Sequence, residues 1–504
     1  MQSRTKNAKR NIVSGLVSKC VSLLFPFVVR TCVIHYLGTV YLGLGGLFSS
    51  ILQVLSLAEL GFGEAMVFSL YAPLQKNDTT KICAILNLYK KIYRAIGIVI
   101  LVGGLAVMPF LKYFINGGYP KGVNVELLYI INLFNVVVSY WLFAYKNSLL
   151  SAAQNISVSN KIGMVMQCAM SIAQIIILVT LRNYYVYVLI IPAFTIARNL
   201  ITEVVSKRLY PDYFCKGKLP KEDIRDIEKR VTGLFIYKFC GTMRTSFDNI
   251  VISSFCGIVM LGKYENYYFI VHTIMSFFVI FSSSITAGIG NSMVSESVEK
   301  NYEDYQKFLF IYEWITGWCT VCLFCLYQPF MLVWVGEDLM LGGEIVALMS
   351  AYFYILKSGD MCYIYRQAAG IWWKDKLRPA VEAVANLVLN IVLVKYFGVA
   401  GVLMATIVTM LIINTYWGAK TLFNTYFKRS MKEYFINLLL YLVITTFAVA
   451  VTYGICQLFA FTGIVRLLYN MLICCIVPNV VYLLCYRSNK NFRYTLQLLK
   501  RLLD

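Results

Sequence analysis

The chain has 504 residues, 59% of them hydrophobic and only 14% charged, with a formal net charge of +21. Its mean hydropathy is +0.68. Such values exclude a soluble globular domain, and the placement of the basic residues excludes the nucleic-acid surface that the charge alone would invite.

Apolar runs of about 20 residues, each long enough to cross ~30 Å of hydrocarbon, recur along the whole length. Fourteen spans are predicted, at residues 12–36, 41–71, 92–115, 124–150, 161–181, 184–205, 231–256, 264–292, 306–334, 341–366, 379–397, 399–420, 433–459 and 463–486. The first run is too long for a removable signal peptide and lacks its small-residue cleavage site, so it is expected to anchor the chain.

Span one carries Lys19, Pro26 and Arg30. A charge near the bilayer centre costs roughly 2.5–3.5 kcal/mol on insertion scales. A mid-span proline is tolerated where the helix faces protein or a water-filled cavity. Span two reads LGLGGLF and then SILQVLSLAELGFGEAM, with glycines that permit close packing or a break. Its Glu59 and Glu64 are either functional intramembrane acids or partners of Lys76 or Lys81 at the interface. Spans three to six are apolar, with Asn132, Asn135, Gln167 and Gln174 as interhelix hydrogen-bonders. The polar stretch 207–230, containing KGKLPKEDIRDIEKR, Pro211 and Pro220, reads as a solvated linker with a short amphipathic helix.

Span seven holds Lys238, Arg244 and Asp248, the last two four residues apart on one face and able to pair. Span nine contains a C-x2-C-x2-C run, Cys319, Cys322 and Cys325. One apolar helix without a ligand-presenting loop favours packing over a metal site, and no metal is expected there. In span ten, Lys357 and Asp360 stand three residues apart, whereas spans thirteen and fourteen hold almost no charge and read as a buttress.

The segment Lys229–Leu261 reads as a second beginning of the segment Arg10–Leu42. A slide of 219 residues puts Lys19 on Lys238, Gly38 on Gly257, Val40 on Val259, Leu42 on Leu261 and Gly43 on Gly262. A lysine inside both copies is a stronger signal than matched leucines. With an even number of spans both ends lie on one side, and the loops of that side hold 35 of the 46 basic residues. That asymmetry is the positive-inside pattern, so both termini are expected in the cytoplasm, and the excess charge serves topology and anionic lipid heads. The expected domains are 1–206 (first lobe), 207–230 (linker), 231–430 (second lobe), and 431–504 (two further helices and a tail).

The stretches KNAKRNIVSGL, LGTVYLGLGGLFSSILQVLSLAELGFGEAMVFSLYAPL, FDNIVISSFCG and VEAVANLVLNIVLVKYFGVAGVLMAT resemble the Wzx-type polysaccharide flippases. These belong to the multidrug/oligosaccharidyl-lipid/polysaccharide exporter superfamily. The resemblance implies an all-α polytopic protein with two six-helix lobes related by an axis along the membrane normal, plus two helices. It implies a carrier of undecaprenyl-diphosphate-linked oligosaccharide from the cytoplasmic to the outer leaflet of a bacterial plasma membrane. Lipid II flippases and multidrug antiporters of the same superfamily are the alternatives. Polysaccharide polymerase machinery and membrane lipids are the implied partners, and a monomer is expected.

The residues point the same way. Parallel repeats place a substrate at their interface, and Lys19, Arg30, Lys238 and Arg244 would supply cations for a diphosphate. Alternatively, these cations pair with Asp248, Glu59 or Glu64 and hold the lobes. Acids would suit a cation antiporter, and span one has none. A membrane enzyme would need catalytic groups on a sizeable outer loop, and the outer loops are short, so a transporter is expected. No cofactor is expected beyond coupling to Na+ or H+. Resemblance to lipid II flippases further implies a sodium site from Asp248, Asn386, Asn390, the Val402 carbonyl and Thr406. Plain interhelix hydrogen bonding among the same residues is the alternative.

Overall fold

Helix signals dominate the chain, and the computed structural model, which describes residues 22–59, 62–116 and 122–495, contains no strand among them. The side chains of residues 58, 226, 229–230, 232–241, 283–284, 287 and 372–373 are likewise outside the description.

Helix α1 (Ser22–Tyr36) ends at Gly38, whose φ of 97° suits only glycine without strain, and α2 (Thr39–Leu55) follows. The second predicted span is not one helix. A 3-10 turn at Ser56–Glu59 separates α2 from α3 (Phe62–Lys76), which carries Pro73 inside it. Asp78 caps α4 (Thr79–Val107) by accepting from the Lys81 N–H at 2.9 Å. Short α5 (Leu111–Phe114) precedes α6 (Val125–Trp141), which Asn124 caps. Between α6 and α7 (Tyr145–Ala152) the fourth span bends by 47°. Then come α8 (Ile156–Thr180) and α9 (Tyr184–Leu209), capped by Asn183.

The amphipathic helix expected in the linker is not separate. It runs without a break into span seven as α10 (Lys221–Cys256), 36 residues long, ending at Gly257 with φ 94°. The remaining order is α11 (Ile258–Ser295), α12 (Val298–Val335), α13 (Gly343–Ser358), α14 (Asp360–Ala368), α15 (Trp372–Asp375) and α16 (Leu377–Thr409). Two π-helical stretches, Met410–Trp417 and Phe423–Phe427, flank α17 (Gly418–Leu422). Helices α18 (Lys432–Cys456) and α19 (Gly463–Tyr486) close the chain.

Continuous as it is by hydrogen bonding, α16 is two crossings. Gly398 has φ 56°, ψ −134°, and the Asn386 amide donates to the Thr406 hydroxyl at 3.0 Å. Twenty residues of straight helix would hold those groups about 30 Å apart, so the chain doubles back, as the separate spans 379–397 and 399–420 require. A Cβ at Gly401 would meet the Leu393 carbonyl, which shows how tightly the limbs turn.

By packing, the residues fall into two compact units, Met1–Gly262 and Lys263–Asp504. In the first, α10 packs along α2, α4 along α6, and α9 against α6 and α8. One of its cores gathers Met66, Leu70, Leu86, Tyr89, Tyr145 and Leu149. Tyr210, Tyr213, Cys215 and Leu219 pack on this core. Asn87 donates to the Gly217 carbonyl at 2.8 Å, and Lys81 pairs with Asp223 at 2.9 Å. The stretch read as a solvated linker is therefore docked, because its apolar residues alternate with the charged ones. In the second unit, α12 packs against α13, α18 and α19, with Trp314 on Tyr482 at 5.4 Å and Phe310 on Tyr486 at 5.2 Å between ring centres.

Outward faces stay apolar: Val384, Val388 and Val392 on α16, Leu439, Val443 and Phe447 on α18, and Val99 and Val102 on α4 are all exposed. Such belts belong against lipid. Among the described residues, seven helices are long and apolar enough by themselves to cross a bilayer, and the bent α6–α7 pair joins them. The protein is an all-α, multi-pass membrane protein.

Candidate functional site

The turn between α1 and α2 and the turn between α10 and α11 have the same backbone. Gly38 has φ 97°, ψ 164°, and Gly257 has φ 94°, ψ 160°. They also meet reciprocally. A Cβ on Gly43 would run into the Ile258 carbonyl, and one on Gly262 would run into the Thr39 carbonyl. In the 219-residue register Thr39 matches Ile258 and Gly43 matches Gly262, so this is a self-complementary contact of the kind a two-fold axis generates. Asn116 adds to it, its carbonyl accepting from the Ile258 N–H at 2.9 Å.

Polar groups gather where α10 follows α2. The Ser246 hydroxyl donates to Gln53 Oε1 at 3.1 Å, and the Asn249 amide donates to the Ser50 hydroxyl at 3.0 Å. Asp248 is buried between them in sequence, and Arg244 is half-buried one turn earlier on the same helix. Arg30 on α1 is half-buried and interacts electrostatically with Tyr187 of α9. Lys19 lies outside the described residues, and the side chain of Lys238 does too, although its backbone belongs to α10.

The two glutamates of span two part company. Glu59 takes no ion pair with Lys76 or Lys81. Its carboxylate accepts from the Tyr140 hydroxyl at 2.6 Å and the Tyr93 hydroxyl at 3.4 Å, while Lys81 is engaged by Asp223. Glu64 is exposed.

In the second unit the intramembrane pair forms as spaced. Lys357 Nζ sits 2.6 Å from Asp360 Oδ2, and the Tyr312 hydroxyl donates to the same oxygen at 2.6 Å. Asn386, Asn390, Val402 and Thr406 are fully buried and joined. Asn390 donates to Asn386 Oδ1 at 3.2 Å, Asn386 to Thr406, and Thr406 to the Val402 carbonyl at 3.1 Å. The Asn386–Thr406 bond joins the two limbs of α16, and the other two lie within one limb each. Asp248 belongs to the first unit and these four residues to the second.

Two buried charge clusters and one buried acid were not evident from the sequence. Lys146, 2% exposed, lies 3.7 Å from Glu203, which also pairs with Lys207 at 2.9 Å. Arg378, also 2% exposed, donates to both Asp375 oxygens at 2.9–3.0 Å and to Glu382 at 3.3 Å. Glu313, 3% exposed, accepts from the Ser358 hydroxyl at 3.1 Å. The basic members of these clusters looked like loop charges, and Glu313 is hidden in an apolar run. The C-x2-C-x2-C segment also has company: Cys325 meets Cys456 of α18 and Cys474 of α19, with the three sulfurs within 4.8 Å of one another.

Several solved structures share this all-α fold at low sequence identity. Among solved structures, the lipid II flippase MurJ in an inward closed conformation has a TM-score of 0.67 at 16% identity, covering 95% of this chain and 99% of that one. An inward-facing multidrug resistance MATE family transporter of the MOP superfamily gives 0.63 at 15% identity, over 80% of this chain and 95% of that one. A MOP superfamily transporter from Pyrococcus furiosus, described as having a binding pocket of reversed polarity, gives 0.57 at 14%, over 84% and 97%. No family model matches the chain, and no curated protein does.

Proposed function

We propose that this protein is a flippase that carries an undecaprenyl-diphosphate-linked oligosaccharide from the cytoplasmic to the outer leaflet of a bacterial plasma membrane, for surface polysaccharide synthesis. The observation that carries the reading is the extent of the likeness. The lipid II flippase covers 95% of this chain, whereas the multidrug transporter covers 80%. The cations agree with it: Arg30 and Arg244 are held half-buried in the first unit, where a guanidinium can bind a diphosphate through two parallel hydrogen bonds. Lys19 and Lys238 are proposed to share that role, and both termini are proposed to face the cytoplasm.

The test is a strain lacking the protein. Accumulation of a lipid-linked glycan in the cytoplasmic leaflet, with loss of the surface polymer, is the expected result. Accumulation of lipid II with a peptidoglycan defect would assign the alternative flippase, and a change in drug susceptibility alone would assign an antiporter. For the orientation, a thiol at Asp338→Cys should react with an impermeant maleimide from outside. One at Lys218→Cys should react only in opened cells.

A further inference from the structure

The C-terminal helix pair carries almost no charge, yet sulfur from three helices converges where it meets α12. Cys325, Cys456 and Cys474 are buried, and their sulfurs lie within 4.8 Å of one another. Three cysteines of α12, α18 and α19 therefore share one small volume, whereas Cys475 and Cys485 are exposed. Packing alone explains scattered apolar cysteines; it does not require three of them, from three helices, to face each other.

The backbone around the cluster is fixed as a binding site requires. The Trp318 indole donates to the Cys474 carbonyl at 2.8 Å, and the Asn470 amide donates to the Cys325 carbonyl at 3.5 Å. Gly317 lets α12 come close, since a Cβ there would lie 2.7 Å from Thr445 Oγ1 and would also strike the Tyr482 hydroxyl. A tetrahedral zinc site with Zn–S bonds of ≈ 2.3 Å holds its sulfurs ~3.8 Å apart. The three thiols need contract by no more than about 1 Å to reach that geometry. Arg466, which donates to Gln457 beside Cys456 at 3.1 Å, offsets part of the negative charge that three thiolates bring.

We propose that Cys325, Cys456 and Cys474 bind one soft d10 metal ion, zinc or copper(I), which pins α18 and α19 to α12. Sulfur-only ligands select these ions over hard cations. Each thiol releases its proton to solvent as its sulfur bonds the metal, with no change in oxidation state.

Whole protein purified in detergent under anaerobic, reducing conditions is analysed for zinc and copper separately. The expected result is about one ion of either kind per chain. Changing even an outer partner of a ligand typically costs 10–100-fold in affinity, so Cys474→Ser and Cys456→Ser, which remove a ligand, should lose most of the metal, while Cys475→Ser keeps it. Cobalt(II) loaded into the metal-free parent should show thiolate charge-transfer absorption that weakens in Cys325→Ser. A parent protein holding less than about a fifth of an equivalent of either metal after reconstitution overturns the proposal. So does equal loss in Cys475→Ser, or a Cys456–Cys474 disulfide found in protein taken directly from cells. The parent's own metal content decides the matter even if a variant fails to fold.

Discussion

The two glycine turns share a backbone and differ in chemistry. Gly38 and Gly257 agree within a few degrees in φ and ψ, and Gly43 and Gly262 occupy reciprocal places against backbone carbonyls. Around the first turn, α1 contributes a proline and Arg30. Around the second, α10 contributes Arg244, Ser246, Asp248 and Asn249, and two of these bond into α2. Contacts of the backbone tolerate no side chain at those glycines, so they stay alike, whereas the neighbouring side chains are free to diverge. The glycine contact is reciprocal and the polar groups around it are not.

That contrast can be broken. Leucine at Gly43 or Gly262 would collide with main-chain carbonyls that cannot rotate aside, and overpacking of this kind costs typically 1–3 kcal/mol or more. Because the contact is reciprocal, both variants should fall together in thermal stability, read by size-exclusion of heated detergent extracts. A variant at one site that tolerates leucine while the other does not would end the two-fold description.

Asymmetry of the polar site is sharpened by charge removal. Lys19→Ala, Lys238→Ala, Arg30→Ala and Arg244→Ala should each reduce export at least about tenfold, the equivalent of 1.4 kcal/mol, without reducing membrane insertion. Lys→Arg should retain more activity than Lys→Ala. Wild-type rates of polymer export in all four alanine variants would remove the cationic site.

Smaller effects follow at the turns themselves. Alanine at Gly38 meets open space, so only its positive-φ, extended-ψ backbone, a region essentially reserved for glycine, opposes it; that costs on the order of 1–3 kcal/mol, and an equal melting shift is expected at Gly257. The smallest effect is at Glu59. Tyr140→Phe removes its shorter hydrogen bond and should destabilise by about 1 kcal/mol, whereas Tyr93→Phe, which removes the longer one, should do less.

Span positions were legible because twenty apolar residues in a row leave few other structures open. The repeat was legible because glycine at a positive φ cannot be exchanged, so Gly38 and Gly257 keep their register. Breaks inside spans were less so: LGLGGLF permitted one, but the 3-10 turn came later, at Ser56–Glu59. Long-range polar pairing was not legible. Lys146 and Glu203 are 57 residues apart in sequence, and a basic residue near a span end reads as a topology signal wherever its partner lies. Cys325 is one member of a cluster whose other two lie more than a hundred residues on, so a single helix gave no hint of convergence. Lys357 and Asp360, three residues apart, were the pair that spacing alone could find.

The doubled-back α16 bears on how the protein is made. Polar side chains stranded in hydrocarbon hinder release of a helix into the bilayer. Asn386 and Asn390 have their partners on the returning limb and on each other, only twenty residues downstream at most. At synthesis rates of ≈ 5–20 residues per second, the returning limb emerges within a few seconds of the first. The hairpin can therefore leave the insertion machinery as one unit with its amides already satisfied. Thr406→Val would leave Asn386 waiting without that partner, and the defect would surface as slow or failed membrane integration of the nascent chain.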